Sequence, residues 1–127
     1  MTISEALAAH EEVLRRFGGR QGVLNRGSLE SAIARPYSGY HRPIARKAAA
    51  LVEAIACNHA FVDGNKRTAI MMLGILLWKS GYALQFKMSE KRANKAMEDM
   101  VVALVKHEIA FEDVVNWIKA RLTKRQS

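Results

Sequence analysis

The ten residues AIMMLGILLW, positions 69–78, form an unbroken apolar run. That run limits what the chain can become. It is too short for the roughly 20 residues that a membrane-spanning helix needs, and it lacks the alternation of a half-buried strand. A helix that is apolar all round has to be enclosed by neighbours on most faces. The run is therefore expected at the centre of a helical bundle. Gly74, with no side chain, marks the point where another helix is expected to come close.

The rest of the chain supplies the neighbours. Alanine, leucine, methionine and lysine dominate, β-branched alternation is scarce, and the pattern is helical nearly throughout. Residues 3–17 predict a first helix, with Leu7, Val13, Leu14 and Phe17 on or near one face and Gly18–Gly19 as its stop. Ser28 is the expected cap of a short second helix that Pro36 ends, and residues 36–43 read as a loop. Pro43 suits the first turn of a third helix, along which Ala48, Val52, Ile55 and then His59 share a stripe. A fourth helix is expected over 66–80 and a short extended piece over 82–86. A fifth, capped by Ser89, should reach about His107, and a sixth should cover 111–122. No run is strong enough to build a sheet, and no repeat or linker divides the chain. The expectation is an all-α, compact single-domain bundle of about six helices over residues 1–127.

A chain of 127 residues suits one domain that buries enough surface to fold without covalent staples. Cys57 is the only cysteine, which excludes an internal disulfide and fits a reducing compartment. The N-terminus has acids where a signal peptide has cations, so a cytoplasmic protein is expected. The net charge of +8 and pI of about 10.0 favour an anionic partner: nucleic acid, nucleotide or acidic protein. The cations are dispersed, however, and an ordinary solvated surface accounts for many of them.

Reactive side chains concentrate in HAFVDGNKRT, residues 59–68, between the third and fourth helices. A loop held from both ends by core helices can position chemical groups. Gly64 permits a sharp turn, and Asn65 is a good N-cap residue. The helix start that follows leaves N–H groups unpaired and carries partial positive charge, which makes it an anion site. Lys66 and Arg67 add two full charges there. Asp63 offers hard oxygen chemistry suited to Mg²⁺. His59 is an imidazole, with an ordinary pKa of about 6.5, able to accept a proton at neutral pH. The sum describes a place for a magnesium–polyphosphate beside a base. Each residue also has a plainer account. His59 would be a core histidine, Asp63–Gly64 a turn, and Asn65 only a cap. Lys66 and Arg67 would be surface charges, Phe61 a core anchor and Thr68 first-turn filler.

HAFVDGNKR resembles the signature of the Fic/Doc (Fido) superfamily, and its lysine resembles the death-on-curing (Doc) toxin branch. HEEVLRRFGGRQGV and LNRGSLESAIARPY are similar to the N-terminal segments of that branch. The resemblance implies the Fic fold, a single Fic/Doc domain spanning 1–127, and an enzyme that uses ATP and Mg²⁺. It implies that His59 is the catalytic base and that Asp63 helps hold the metal. Gly64, Asn65, Lys66 and Arg67 would bind phosphate, with Lys66 and Arg67 also acting in catalysis. Lys66 stands where nucleotidylating relatives carry glycine. In the resembled branch that change accompanies transfer of the γ-phosphoryl to a protein hydroxyl, a threonine of translation elongation factor Tu, which halts protein synthesis.

Transfer of AMP is the alternative within the family. A basic nucleic-acid-binding or RNA-cleaving toxin is the alternative that the charge suggests, although no basic stripe interleaved with aromatics is present. An inactive interaction module that kept the motif is a third. Two departures stand out. No second motif arginine occurs near Met71, and Cys57–Asn58 precede the motif where a relative can carry an arginine. Residues 36–43 lie where family members place a flap that docks the target, with Tyr37, Tyr40 and His41 available. The family's internal inhibitory pattern has glutamate four residues after Ser or Thr, and no Ser or Thr here meets it. Restraint by an antitoxin in trans is therefore expected, from an acidic or partly disordered partner that suits the charge of +8.

Overall fold

The computed structural model describes residues 1–34 and 43–125. In chain order these form α1 (Ile3–Phe17), α2 (Arg26–Ala34), α3 (Ile44–Cys57), α4 (Asn65–Lys79), β1 (Tyr82–Leu84), α5 (Glu90–Val105), α6 (Phe111–Arg121) and β2 (Leu122–Lys124). The described residues thus make the all-α bundle that the sequence predicts. The expected loop with Tyr37, Tyr40 and His41, and the stop at Pro36, lie outside them.

Local chemistry sets the helix ends. Thr2 Oγ1 accepts from the Glu5 N–H, and Glu5 Oε1 accepts from the Thr2 N–H, a reciprocal cap that starts α1. Gly18, at φ +77, ends it and donates its N–H to the Leu14 carbonyl. Ser89 Oγ accepts from the Arg92 N–H and starts α5 as expected. Ser28 does not cap α2. It lies inside the helix, and Asn25 Oδ1 accepts the Ser28 N–H instead, one turn earlier. Asparagine and serine are near-equal caps, so local propensity did not separate them.

The core is built on α3 and α4, packed side by side. Ala48, Ala49, Leu51, Val52 and Ile55 of α3 are fully buried, and its small alanines let α2, α4, α5 and α6 close around it. α4 buries Ala69, Met72, Leu73, Leu76 and Leu77, and α1 and α3 cover that side. α5 and β1 flank its remaining face, leaving a groove along Gly74. Gly74 is exposed, with no heavy atom of the described residues within 4 Å of where a Cβ would sit. The helix expected to approach there does not. Trp78, on the same helix, is 58% exposed.

Two further differences concern the C-terminal third. α6 ends at Arg121, and Leu122–Lys124 turns extended to pair antiparallel with Tyr82–Leu84, with Ala83 opposite Thr123. No sheet was expected, because three-residue strands carry too little periodicity to read. α5 stops at Val105 rather than His107, which takes φ +60. No helix among the described residues is long and apolar enough to cross a membrane.

Candidate active site

The chain between α3 and α4 is short, and it is held along its length. α3 ends at Cys57 with Asn58 as its C-cap, and His59 follows at φ +49 in the left-handed region. Glycine usually fills that position after a helix, because a side chain costs energy there. The backward turn takes His59 off the α3 stripe and leaves it exposed. This overturns the core-histidine reading: the buried positions pass to Ala60 and Phe61, both 0% exposed.

The N-terminal quarter of the chain forms the seat for this loop. The Leu24 N–H donates to the Ala60 carbonyl at 2.8 Å, and the Val62 N–H donates to the Gly22 carbonyl at 3.0 Å. These bonds make an isolated antiparallel bridge between Val23 and Phe61. Asp63 Oδ2 accepts from the Arg20 N–H at 3.2 Å, and Oδ1 accepts from the Gly64 N–H at 2.9 Å. These two donors, the Arg20 amide first, hold the Asp63 carboxyl below its ordinary pKa. Gly19 is needed beside it, since a Cβ there would meet Asp63 Oδ2 at 3.0 Å.

At the start of α4 the cap is Gly64, at φ +75, and not Asn65. Asn65 is the first helical residue, and its carboxamide folds back on Phe61. Oδ1 accepts the Phe61 N–H at 3.1 Å, and Nδ2 donates to the Phe61 carbonyl at 3.0 Å. The side chain expected to cap the helix or hold phosphate instead clamps the loop, and its backbone N–H is what it contributes at the helix start. Thr68 is fully buried, and its hydroxyl has no hydrogen-bond partner among the described residues.

Asp63, Gly64, Asn65, Lys66 and Arg67 line one cleft of about 270 Å³, together with Ile70 of α4 and Glu98 and Val102 of α5. Lys66 and Arg67 are exposed. The Arg67 guanidinium lies 4.1 Å from the Phe17 ring centre, and its Nε is 3.9 Å from Glu98 Oε1. That pair is half-exposed on both sides and weak. Five of the six residues singled out in the sequence thus share one cleft. His59 is not among its lining and sits exposed at the other end of the loop. A cleft of this kind offers an anion a helix start and two cations.

The donor set suits a hard cation bound partly by phosphate. Among the described residues no group of three or more His, Cys, Asp or Glu could cage a metal. Asp63 from the motif loop and Glu98 from α5 bring carboxylates to this cleft, and among the described residues each Asp63 oxygen accepts one hydrogen bond. Mg²⁺ is commonly held by one or two carboxylates with phosphate oxygens and water, and this arrangement fits that habit.

One residue at the site has no counterpart in the sequence reading. His10 of α1 is 6% exposed, its ring stacked on Phe61 and its Nε2 2.7 Å from the Asp63 carbonyl oxygen. Its signal was a place on the buried face with Ala6, Ala9 and Val13. A partner 53 positions away is invisible to helical periodicity.

The model of the Fic/DOC family matches residues 1–77, from before α1 to near the end of α4. Toxin Doc of Mycolicibacterium smegmatis (strain ATCC 700084 / mc(2)155) is 38% identical over 89 residues, which cover 66% of this chain and 68% of that protein.

Proposed function

The chain belongs to the Fic/DOC family, and from that premise we propose that it is the toxin of a toxin–antitoxin pair that transfers the γ-phosphoryl of ATP to a protein hydroxyl. A threonine of elongation factor Tu is the proposed acceptor. The observation that carries the reading is the cleft at the start of α4, where Asp63, Lys66 and Arg67 meet the first turn of the helix, whose leading N–H groups have no partner within the helix.

In this mechanism the phosphates lie at the helix start. Backbone N–H groups and the Lys66 and Arg67 cations balance their charge, which grows on the leaving ADP as the bond breaks. Mg²⁺ held with Asp63 would supply further charge neutralisation to the phosphates. His59, exposed at the α3 end of the loop, accepts the proton of the incoming alcohol as its oxygen attacks the γ-phosphorus. The products are a phosphoester on the target, ADP and one proton. Lys66 supports phosphoryl over AMP transfer, because its stem fills space that glycine would leave to a phosphate.

An antitoxin in trans is part of the same proposal. The face of α4 that carries Gly74 is an apolar groove running past Phe17, Met71 and Gly74 to Trp78. Arg16 and Arg67 flank it, and Arg125 stacks 4.3 Å over Trp78. An apolar floor, with these three arginines against the one carboxylate of Glu98 on its rim, suits an amphipathic acidic segment of the antitoxin.

Incubation of a cell lysate with ATP labelled separately at the α- and γ-phosphates tests the reaction, with the modified protein identified by mass spectrometry. γ-Label on protein, lost with His59→Ala, is expected. α-Label would mean AMP transfer. No label, together with steeply salt-dependent RNA binding, would mean a nucleic-acid-directed toxin.

A further inference from the structure

A buried histidine outside the motif holds the motif loop, and its contacts assign it a role in the site. His10 lies one turn before Leu14 on α1, between Ala6 and Val13 on the buried face. Its ring lies on Phe61 with centroids 3.9 Å apart and planes 8° from parallel. Its Nε2 lies 2.7 Å from the Asp63 carbonyl oxygen. A carbonyl oxygen only accepts, so Nε2 carries the proton and donates.

The bond matters because of the peptide that it grips. The Asp63 carbonyl and the Gly64 N–H belong to one planar unit. Gly64 sits at φ +75, and a glycine takes the opposite sign of φ about as readily. This peptide therefore has two accessible orientations in the isolated loop. A reversal would swing the carbonyl away from α1 and exchange the two ends of the peptide dipole beside the anion cleft. It would also move the Gly64 N–H that Asp63 Oδ1 accepts. His10 holds the carbonyl against α1, in the orientation where the carboxylate and the helix start line one cleft. Gly64 has α1 at its back as well, since a Cβ there would touch Val13 at 3.4 Å and His10 at 3.8 Å.

We infer that His10 is a positioning residue for the phosphate site: through its Nε2–H bond to the Asp63 carbonyl it selects the loop conformation that accepts a nucleotide phosphate. The positioning stands on the contacts alone. Its consequence for nucleotide binding rests on the function proposed above.

Two variants separate the hydrogen bond from the packing. His10→Phe keeps a ring to stack on Phe61 and removes the donor. His10→Gln returns an amide donor at a similar reach. Amide hydrogen exchange in the full chain reads the loop directly. Exchange at the Phe61 and Val62 amides, both hydrogen-bonded here, should rise about tenfold in His10→Phe relative to amides of α3, the scale of one lost hydrogen bond. His10→Gln should restore most of the protection. Mg-ATP titration of the same proteins should show a weaker Kd in His10→Phe, recovered in His10→Gln. Exchange that changes equally in loop and α3, or a loop unchanged in both variants, would overturn the inference by reducing His10 to core packing. Failure of the wild type to bind Mg-ATP would instead defeat the functional reading, and the exchange data would still decide the role of His10.

Discussion

The Arg67 guanidinium lies 4.1 Å from the centre of the Phe17 ring, so the last residue of α1 holds a side chain from the first turn of α4. Phe17 is 52% exposed and adds little to the core. Its ring gives a mobile cation one face to rest on before any phosphate arrives. An exposed cation–π contact is worth about 0.5–1 kcal/mol, or roughly two- to fivefold in affinity. Phe17→Ala should weaken Mg-ATP binding by about that factor, measured by calorimetry, with the melting temperature nearly unchanged. Affinity equal to wild type would show that the stack does nothing for the site.

His59 occupies a left-handed position that glycine fills at less cost. His59→Gly should therefore abolish transfer and yet stabilise the fold, by up to about 1 kcal/mol. Urea denaturation beside an activity assay checks both halves. A clear loss of stability would mean that the imidazole makes native contacts that outweigh its backbone strain.

Asn65 bonds the Phe61 N–H and carbonyl together. Asn65→Ala should leave both backbone groups without their partner and cost about 1–3 kcal/mol. Asn65→Asp keeps the acceptor but sets a carboxylate against the Phe61 carbonyl, so it should not rescue. Chemical denaturation curves of the two variants decide this. A neutral Asn65→Ala would show that water replaces the clamp.

The Asp63 carboxyl is held below its ordinary pKa by the Arg20 and Gly64 N–H groups. The unfolded chain then binds this proton at higher pH than the folded one. The stabilisation is fully present above the ordinary aspartate pKa of about 3.9 and is lost as pH falls through the lower folded value. The stability difference between wild type and Asp63→Asn should be flat near neutral pH and shrink in acid. A difference that does not vary with pH would mean that the carboxylate is not bonded as seen.

Gly74 lies mid-helix with open space where a Cβ would go. Gly74→Ala should raise stability by about 0.5–1 kcal/mol. Under the proposed function, Gly74→Leu should fold equally well, arrest growth like the wild type and lose rescue by co-expressed antitoxin, because its side chain would fill the groove on α4. Full rescue would place the antitoxin elsewhere.

Much of this was legible in one dimension. Residues 3–17 were bounded correctly because the helix and its glycine stop are local. Gly64, Lys66 and Arg67 fell at a helix start, as their spacing required. The errors share one cause. Ser28 against Asn25, and Asn65 as cap against clamp, are choices between groups equally able to bond nearby, and the surrounding chain settles them. Gly74 looked like a close approach because the residues around it are greasy. Greasiness states that a surface wants cover, not which neighbour provides it.

The order of residues alone determined a helical chain with its chemistry gathered between the third and fourth helices, since caps, periodicity and adjacent charges act within a few positions. Only the tertiary structure decided that the first 25 residues would cradle that chemistry: His10 on the Asp63 carbonyl, the Arg20 amide on its carboxylate, Gly22 and Leu24 on Val62 and Ala60 of the loop. Bonds that span forty or fifty positions leave no local pattern, because they exist only once α1 has packed against α4.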